Sequence, residues 1–354
     1  MPIPVSISVD AMGADSGPAI AVDGIEVILK RKAGTQARFL LHGDEAILKP
    51  LVDAKPEHVR SRIEIRHSDS EVRMTDKPSE AVRRSRGSSM WNAMVSVKDG
   101  EAAAVVSAGN TGALMAISKV VLRMKKGVHR PAIAASWPTT RGHTVVLDVG
   151  ANVECGPSQL VEFAIMGEAY HRAVHGSTDP TVGLLNVGQE ELKGNDVVRA
   201  ADRLIREAHL KLNYHGFVEG DDISLGRTDV VVTDGFSGNI ALKTAEGTAK
   251  LVGAWMRDAF TSSLSARLGA ILLSISGLKQ LRARLDPRTI NGGVLLGLNG
   301  MVVKSHGGTD GEGFATALGI GIDLAPSGFL SEIEGNLRRL AEAEETEAAK
   351  EPAE

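Results

Sequence analysis

Cysteine is almost missing from this chain: Cys155 stands alone among 354 residues. No internal disulfide framework is therefore expected, and a reducing, cytoplasmic setting fits. Long hydrophobic runs are missing too. The run at residues 270–273, with neighbours to Ile275, falls far short of the roughly 20 apolar residues that cross a bilayer. That excludes spanning but not lying on a membrane. No charged leader or cleavage site precedes the alternating run Val5-Ser6-Ile7-Ser8-Val9, so export is not expected. Charge of one sign does not dominate either. The net charge is -4 and the pI about 6.2, which argues against nucleic acid as a partner. Neither a P-loop, a G-x-G-x-x-G turn, nor a G-x-S-x-G elbow is found. The histidines read as scattered and the aspartates lack EF-hand spacing, so no metal and no cofactor are expected.

What is present is an ordinary apolar share, 43%, and an alternation of strand and helix signals. Strand-like runs near 3–9, 38–42, 62–66, 102–107, 144–149, 181–187 and 229–233 alternate with helical patterns near 18–31, 79–98, 110–124, 157–175, 195–211 and 237–260. This pattern predicts an α/β fold, a doubly wound and mostly parallel sheet covered on both faces. Residues 1–340 are read as a single catalytic domain, in one body or two lobes. A helical hairpin is expected to protrude at about 250–286, and 341–354 to form a solvated tail.

Two glycine-rich turns read as one device. Ser107-Ala108-Gly109-Asn110-Thr111-Gly112 and Thr233-Asp234-Gly235-Phe236-Ser237-Gly238-Asn239 each follow a strand and open a helix. Unpaired N–H groups at such a position collect an anion. Further polar turns follow the strands at Asp10-Ala11-Met12-Gly13, Asp148-Val149-Gly150-Ala151-Asn152 and Asn186-Val187-Gly188. In an open α/β sheet these carboxyl ends outline a single cleft.

These motifs, taken in order from Ser8-Val9-Asp10-Ala11-Met12-Gly13 to Thr233-Asp234-Gly235-Phe236-Ser237-Gly238-Asn239, resemble those of the PlsX family, the bacterial acyl-[acyl-carrier-protein]:phosphate acyltransferases. The resemblance runs from about residue 5 to about 335. It implies a fold similar to phosphate acetyltransferase and to the isocitrate and isopropylmalate dehydrogenases. It also implies transfer of a fatty acyl group from acyl carrier protein to inorganic phosphate, a homodimer, and peripheral contact with the inner face of the cytoplasmic membrane. The acyl phosphate would pass to a downstream glycerol-3-phosphate acyltransferase. One departure is Ala14, where the family usually has a second glycine.

The chemistry needs phosphate charge held and a tetrahedral oxyanion stabilised. Lys193, in the loop Gly188-Gln189-Glu190-Glu191-Leu192-Lys193, is either a solvated lysine or a cation for this charge, and the resemblance favours the cation. Asn239 either caps its helix or donates to the oxyanion. The candidate phosphate or substrate positions are Asp10, Gly13, Asn110, Thr111, Gly112, Asp148, Asn152, Asn186, Gly188, Asp234, Gly235 and Gly238. His306-Gly307-Gly308 and Glu219 with Asp222 read as cleft rim or as turns. A pantetheine thiol of pKa about 8.5 leaves without a strong acid, so no covalent acyl-enzyme is required.

An acidic carrier protein calls for a basic docking surface. Arg83, Arg84 and Arg86 form one candidate; Arg123, Lys125, Lys126 and Arg130 form another. For an anionic membrane surface the candidate is the apolar tip with Leu264, Leu268, Ile271 and Leu272, flanked by Lys279, a pattern that a dimer interface shares.

Overall fold

The computed structural model describes residues 5–208, 210–263, 288, 291–335 and 337. The apolar tip around Leu264, Leu268, Ile271, Leu272 and Lys279 lies outside the described residues, as does the tail at 341–354. The described strands are β1 (Ser6–Asp10), β2 (Arg38–Gly43), β3 (Ile63–His67), β4 (Ala104–Ser107), β5 (Ala132–Thr139), β6 (Gly142–Leu147), β7 (Thr181–Leu185), β8 (Asn213–Val218), β9 (Val230–Val232), β10 (Gly293–Leu296) and β11 (Met301–Lys304). They form one sheet in the order β3-β2-β1-β4-β11-β10-β5-β6-β9-β7-β8.

Most neighbours are parallel, as the alternation predicts. The centre is not: β11–β10, β10–β5 and β5–β6 are antiparallel. Three reversals make β6, β9, β7 and β8 run opposite to β1, β4 and β11. The expectation of one cleft outside all carboxyl ends is thereby corrected. The two parallel halves present their strand ends at opposite edges, and something else must join them.

The helices are α1 (Ala19–Arg31), α2 (Glu45–Asp53), α3 (Glu57–Arg60), α4 (Pro78–Arg84), α5 (Ser89–Lys98), α6 (Thr111–Val121), α7 (Pro157–His175), α8 (Asp196–Glu207), α9 (Gly220–Leu225), α10 (Gly235–Thr261) and α11 (Gly311–Leu324). One core layer packs α1, α7 and α11 on the sheet through Ile25, Phe163, Tyr170, Phe314 and Leu318. The other packs α5 and α6 through Met90, Met94, Leu114 and Ile117, with Ala241, Leu242 and Ala245 of α10 against it. Local signals account for several boundaries. Pro157 opens α7, where a missing N–H is harmless, and Gly176 ends it in the left-handed region (φ 70°). Helix α10 is different: within its 27 residues only Gly235 and Gly238 are buried. Among the described residues no single helix is long and apolar enough to cross a membrane.

The histidines are less scattered than their sequence positions suggest. His171 and His175 lie four apart on α7, and the β5–β6 hairpin adds His143, stacked on His175 with centroids 4.9 Å apart. Ser177 and Ser136 hydroxyls engage His171 and His175. Burial, with His171 and His143 alongside, pushes His175 down to about 4, and burial with Arg66 nearby does the same to His42. Both imidazoles sit below their ordinary 6.5, so between those values the unfolded chain binds more protons than the folded one. Stability is therefore lost as pH falls from 6.5 towards 4. A thermal melt series over that window should show a falling midpoint, and His175→Gln should flatten it.

Candidate functional site

The first group of predicted residues gathers where β1, β4 and β11 end. Asp10 is buried and accepts from the Ser89 and Ser107 hydroxyls, each at 2.7 Å. Burial raises its carboxyl above the ordinary range against those hydrogen bonds. Gly13 lets the β1–α1 turn touch the β4–α6 turn: a Cβ there would stand 2.7 Å from the Gly109 backbone. Ala14 has no positive φ, so the family's second glycine is not needed for that turn. Asn110 caps α6, accepting from Ala113 N–H at 3.0 Å, while its amide donates to the Met74 and Asp76 carbonyls. Its side chain is thus committed to structure, which leaves only backbone N–H groups of this turn for an anion. Thr111 is exposed and Gly112 half-buried in the first turn.

The second group gathers where β6 and β9 end. Asp148 is fully buried. Its carboxylate accepts from the N–H groups of Ile133 (3.0 Å), Gly150 (3.1 Å), Ala151 (2.9 Å) and Asn152 (2.7 Å), and from the Asn152 amide (2.9 Å). Burial still pushes this carboxyl up. Asn152 also donates to Pro131 O at 2.8 Å. Asp234 caps α10, accepting from Ser237 N–H at 2.8 Å and from its hydroxyl at 3.0 Å. Gly235 N–H donates to Asn152 O at 2.7 Å, and a Cβ on Gly238 would overlap the Asp148 carbonyl oxygen. Asp148, Asn152, Asp234, Gly235 and Gly238 therefore form a knot that seats α10. Asn239 is the exposed member, with its amide over Gly150.

The third group is the loop after β7. Asn186 donates to Lys193 O at 3.1 Å, and Gly188 lies against the Lys193 side chain. Lys193 is exposed. Because β7 and β9 are hydrogen-bonded neighbours, Lys193 and Asn239 share one edge of the sheet, but no contact joins them among the described residues.

Helix α10 links the opposed strand ends. Asn239, Lys243, Glu246 and Lys250 fall on one stripe, and from Asn239 to Glu246 the rise is about 10 Å. At that distance Glu246 lies 3.6 Å from His306 and 2.8 Å from Lys243. Lys304, at the end of β11, donates to Ala108 O at 3.4 Å and also to Ser305 O. The charges of Asp15 and Asp10 act on it. The surface beside α10 therefore presents an exposed amide and several cations. It can bind a multiply charged anion next to a polarisable carbonyl.

The comparisons with known proteins bear on the same residues. A model of the fatty acid synthesis protein family matches residues 5–332. A phosphate acyltransferase from Maricaulis maris is 68% identical over 97% of this chain and 98% of its own length, and one from Caulobacter vibrioides is 57% identical over 94% and 92%. The chain belongs to the PlsX family. It is an acyltransferase. Solved structures add the fold alone. The EutD phosphotransacetylase of Staphylococcus aureus covers 91% of this chain, and the chain 94% of it, at TM-score 0.56 and 18% identity. A 4-hydroxythreonine-4-phosphate dehydrogenase from Klebsiella pneumoniae gives 0.52 and 15%, with 92% and 98% covered.

In this PlsX family member the two basic patches flank opposite ends of α6. Arg83, Arg84 and Arg86 are exposed at the end of α4, and α4 packs on the first turn of α6 through Pro78 and Gly112. Arg123, Lys126 and Arg130 are exposed near the other end. Lys125 is not: it is 7% exposed and paired with Glu334 at 3.3 Å, which withdraws it from the docking candidates. Glu219 and Asp222 form the capping turn of α9. Ser89, Ser107, Lys243 and Lys304 were not singled out from sequence. Lys304 follows a strand signal in a glycine-rich stretch, and its burial depends on residues remote in the chain. The seating of α10 is directly testable. Gly238→Ala forces a Cβ into the Asp148 carbonyl and should cost about 1–3 kcal/mol or more, read as a lower denaturant midpoint.

Proposed function

We propose that this protein transfers a long-chain fatty acyl group from acyl carrier protein to inorganic phosphate, forming acyl phosphate for phospholipid synthesis. The observation that carries the reading is the face of α10 on which an exposed amide at Asn239 precedes Lys243 by one helical turn, in a member of a family whose relatives are phosphate acyltransferases. A phosphate oxygen attacks the thioester carbonyl. The carbon–oxygen bond forms, the carbon–sulfur bond breaks, and the proton of hydrogen phosphate ends on the pantetheine sulfur. Asn239 donates to the oxyanion, and Lys193, reaching in from the neighbouring strand end, supplies positive charge to it. Attack is direct. Cys155, the nearest thiol, is pushed up to about 11 by burial and by the carboxylates of Asp148 and Asp234, so it stays a protonated, poor nucleophile at neutral pH.

The exposed arginines Arg83, Arg84 and Arg86, with the Arg123, Lys126 and Arg130 patch, receive the acidic carrier protein. The outer side of α10 exposes Phe236, Ile240, Leu251 and Trp255 at spacings of four and eleven residues, a stripe on one helical face. That stripe supports a homodimer. The segment with Leu264, Leu268, Ile271, Leu272 and Lys279 then meets the anionic membrane surface, where the product passes to a glycerol-3-phosphate acyltransferase. Residues 1–340 act as one catalytic unit in this scheme.

Purified protein incubated with long-chain acyl carrier protein and phosphate should form a hydroxylamine-reactive product; none would end the proposal. Lys193→Ala and Asn239→Ala should each lower kcat about 100-fold or more, as loss of an oxyanion donor does, with thermal midpoints nearly unchanged. Charge reversal at Arg83 and Arg84 should raise KM for the carrier protein, most strongly at low salt, and leave KM for phosphate unchanged.

A further inference from the structure

We infer that Lys304, missed from sequence and distinct from Lys193, is the cation of the phosphate subsite: its half-buried ammonium, facing α10 beside Lys243 and His306, is placed to hold an inorganic phosphate oxygen.

The inference rests on a contrast between cations. Lys55 is paired with Asp23 and Glu26. Lys125 is paired with Glu334, and Arg172 with Glu168 and Glu332. Each of these low-exposure cations has a carboxylate in contact. Lys304 has none among the described residues; its hydrogen bonds go to the carbonyl oxygens of Ala108 and Ser305. Carbonyls solvate an ammonium but do not neutralise it, and a desolvated charge without a counter-charge is costly. The cost is visible as a shift: burial lowers the Lys304 ammonium to about 8, against the opposing pull of Asp15 and Asp10.

The surroundings match a phosphate better than a carboxylate side chain. Lys243 adds charge, which acts on both Lys304 and His306. Glu246 engages Lys243 and His306 but not Lys304. His306 is held by its own N–H, which donates to Asn291 at 2.9 Å, and Asn291 in turn donates to Ser305 and Thr309. The strand end is thus braced, and Lys304 projects from a fixed β11 rather than from a loose loop. The carbonyl of Ala108 that Lys304 engages stands three residues before α6, whose first turn holds Thr111 and Gly112. Charge held this way on rigid elements costs little rearrangement when substrate arrives.

The inference deepens the acyl-transfer reading and rests on it for the identity of the anion. In the full-length enzyme, with phosphate titrated at constant ionic strength, Lys304→Met should raise KM for phosphate about tenfold or more, the loss of one charge-assisted contact, while KM for acyl carrier protein stays within about twofold. The phosphate-induced rise in thermal midpoint should vanish. Without phosphate the variant should melt no lower than the parent, since an unpaired charge has been removed. Lys304→Arg should recover part of the phosphate response. A phosphate KM within about twofold of the parent would overturn the inference. An independent measurement needs no variant: acetic anhydride labelling of Lys304, read by mass spectrometry, should be slowed by inorganic phosphate and not by equal ionic strength of chloride. Labelling indifferent to phosphate would also overturn it. Protection by phosphate in a protein that forms no acyl phosphate would instead sink the acyl-transfer reading and leave the subsite standing.

Discussion

The carboxylate of Asp148 ties this molecule together. It ends β6, takes N–H groups from β5 and from its own turn, and is removed from water entirely. A buried carboxylate survives only if its lone pairs are met. Here they are met by backbone donors, which cannot rotate away. The result is a rigid shelf whose carbonyl oxygen also supports α10 at Gly238. The positions of Asn239 and Lys243 depend on that seat.

From the shelf, helix geometry does the rest. The sheet reverses direction at its centre, so the strand ends bearing Asp10 and those bearing Asp148 face different edges. No turn alone brings them into one site. A helix about 40 Å long, opening at one edge and passing the other, does so with a single stripe of side chains. The same length leaves its remaining face uncovered in a lone chain, so the element that assembles the groove is also the one most in need of an outside partner.

Much of this was legible in the sequence where the signal is local. The runs that became β2, β4 and α7 carry their own periodicity and punctuation, and the turns holding Asp148 and Asn239 do follow strands. What was not legible depended on remote packing. Strands β10 and β11 sit in a stretch dense with glycine that reads as turns, and α11 carries Gly311, Gly313, Gly319 and Gly321, which weaken helix propensity. Both exist because the core needs them. The antiparallel centre was invisible for the same reason, since β5 contains Pro138 and pairs, besides its hairpin neighbour β6, with β10 far along the chain. The polar turn residues share one feature that sequence does not show. Asn110, Asn152 and Asp234 look like ligands because they are polar and follow strands, yet their hydrogen bonds are used within the fold.

That pattern bears on how charge is distributed over the groove. Lys193 is a cation in water, where a unit charge at a few ångströms is screened to about 1 kcal/mol. Lys304 is half-buried, so its attraction for an anion is less screened and part of its own desolvation is met before substrate arrives. A site that must bind a strongly hydrated dianion and still leave one oxygen free to attack gains more from the second kind of cation. The first kind serves a charge that appears only fleetingly, as the carbonyl becomes tetrahedral, and can be approached by a side chain from outside. On the proposed reading, two lysines in different dielectric surroundings divide the work: one suited to a ground-state anion, the other to a transient one.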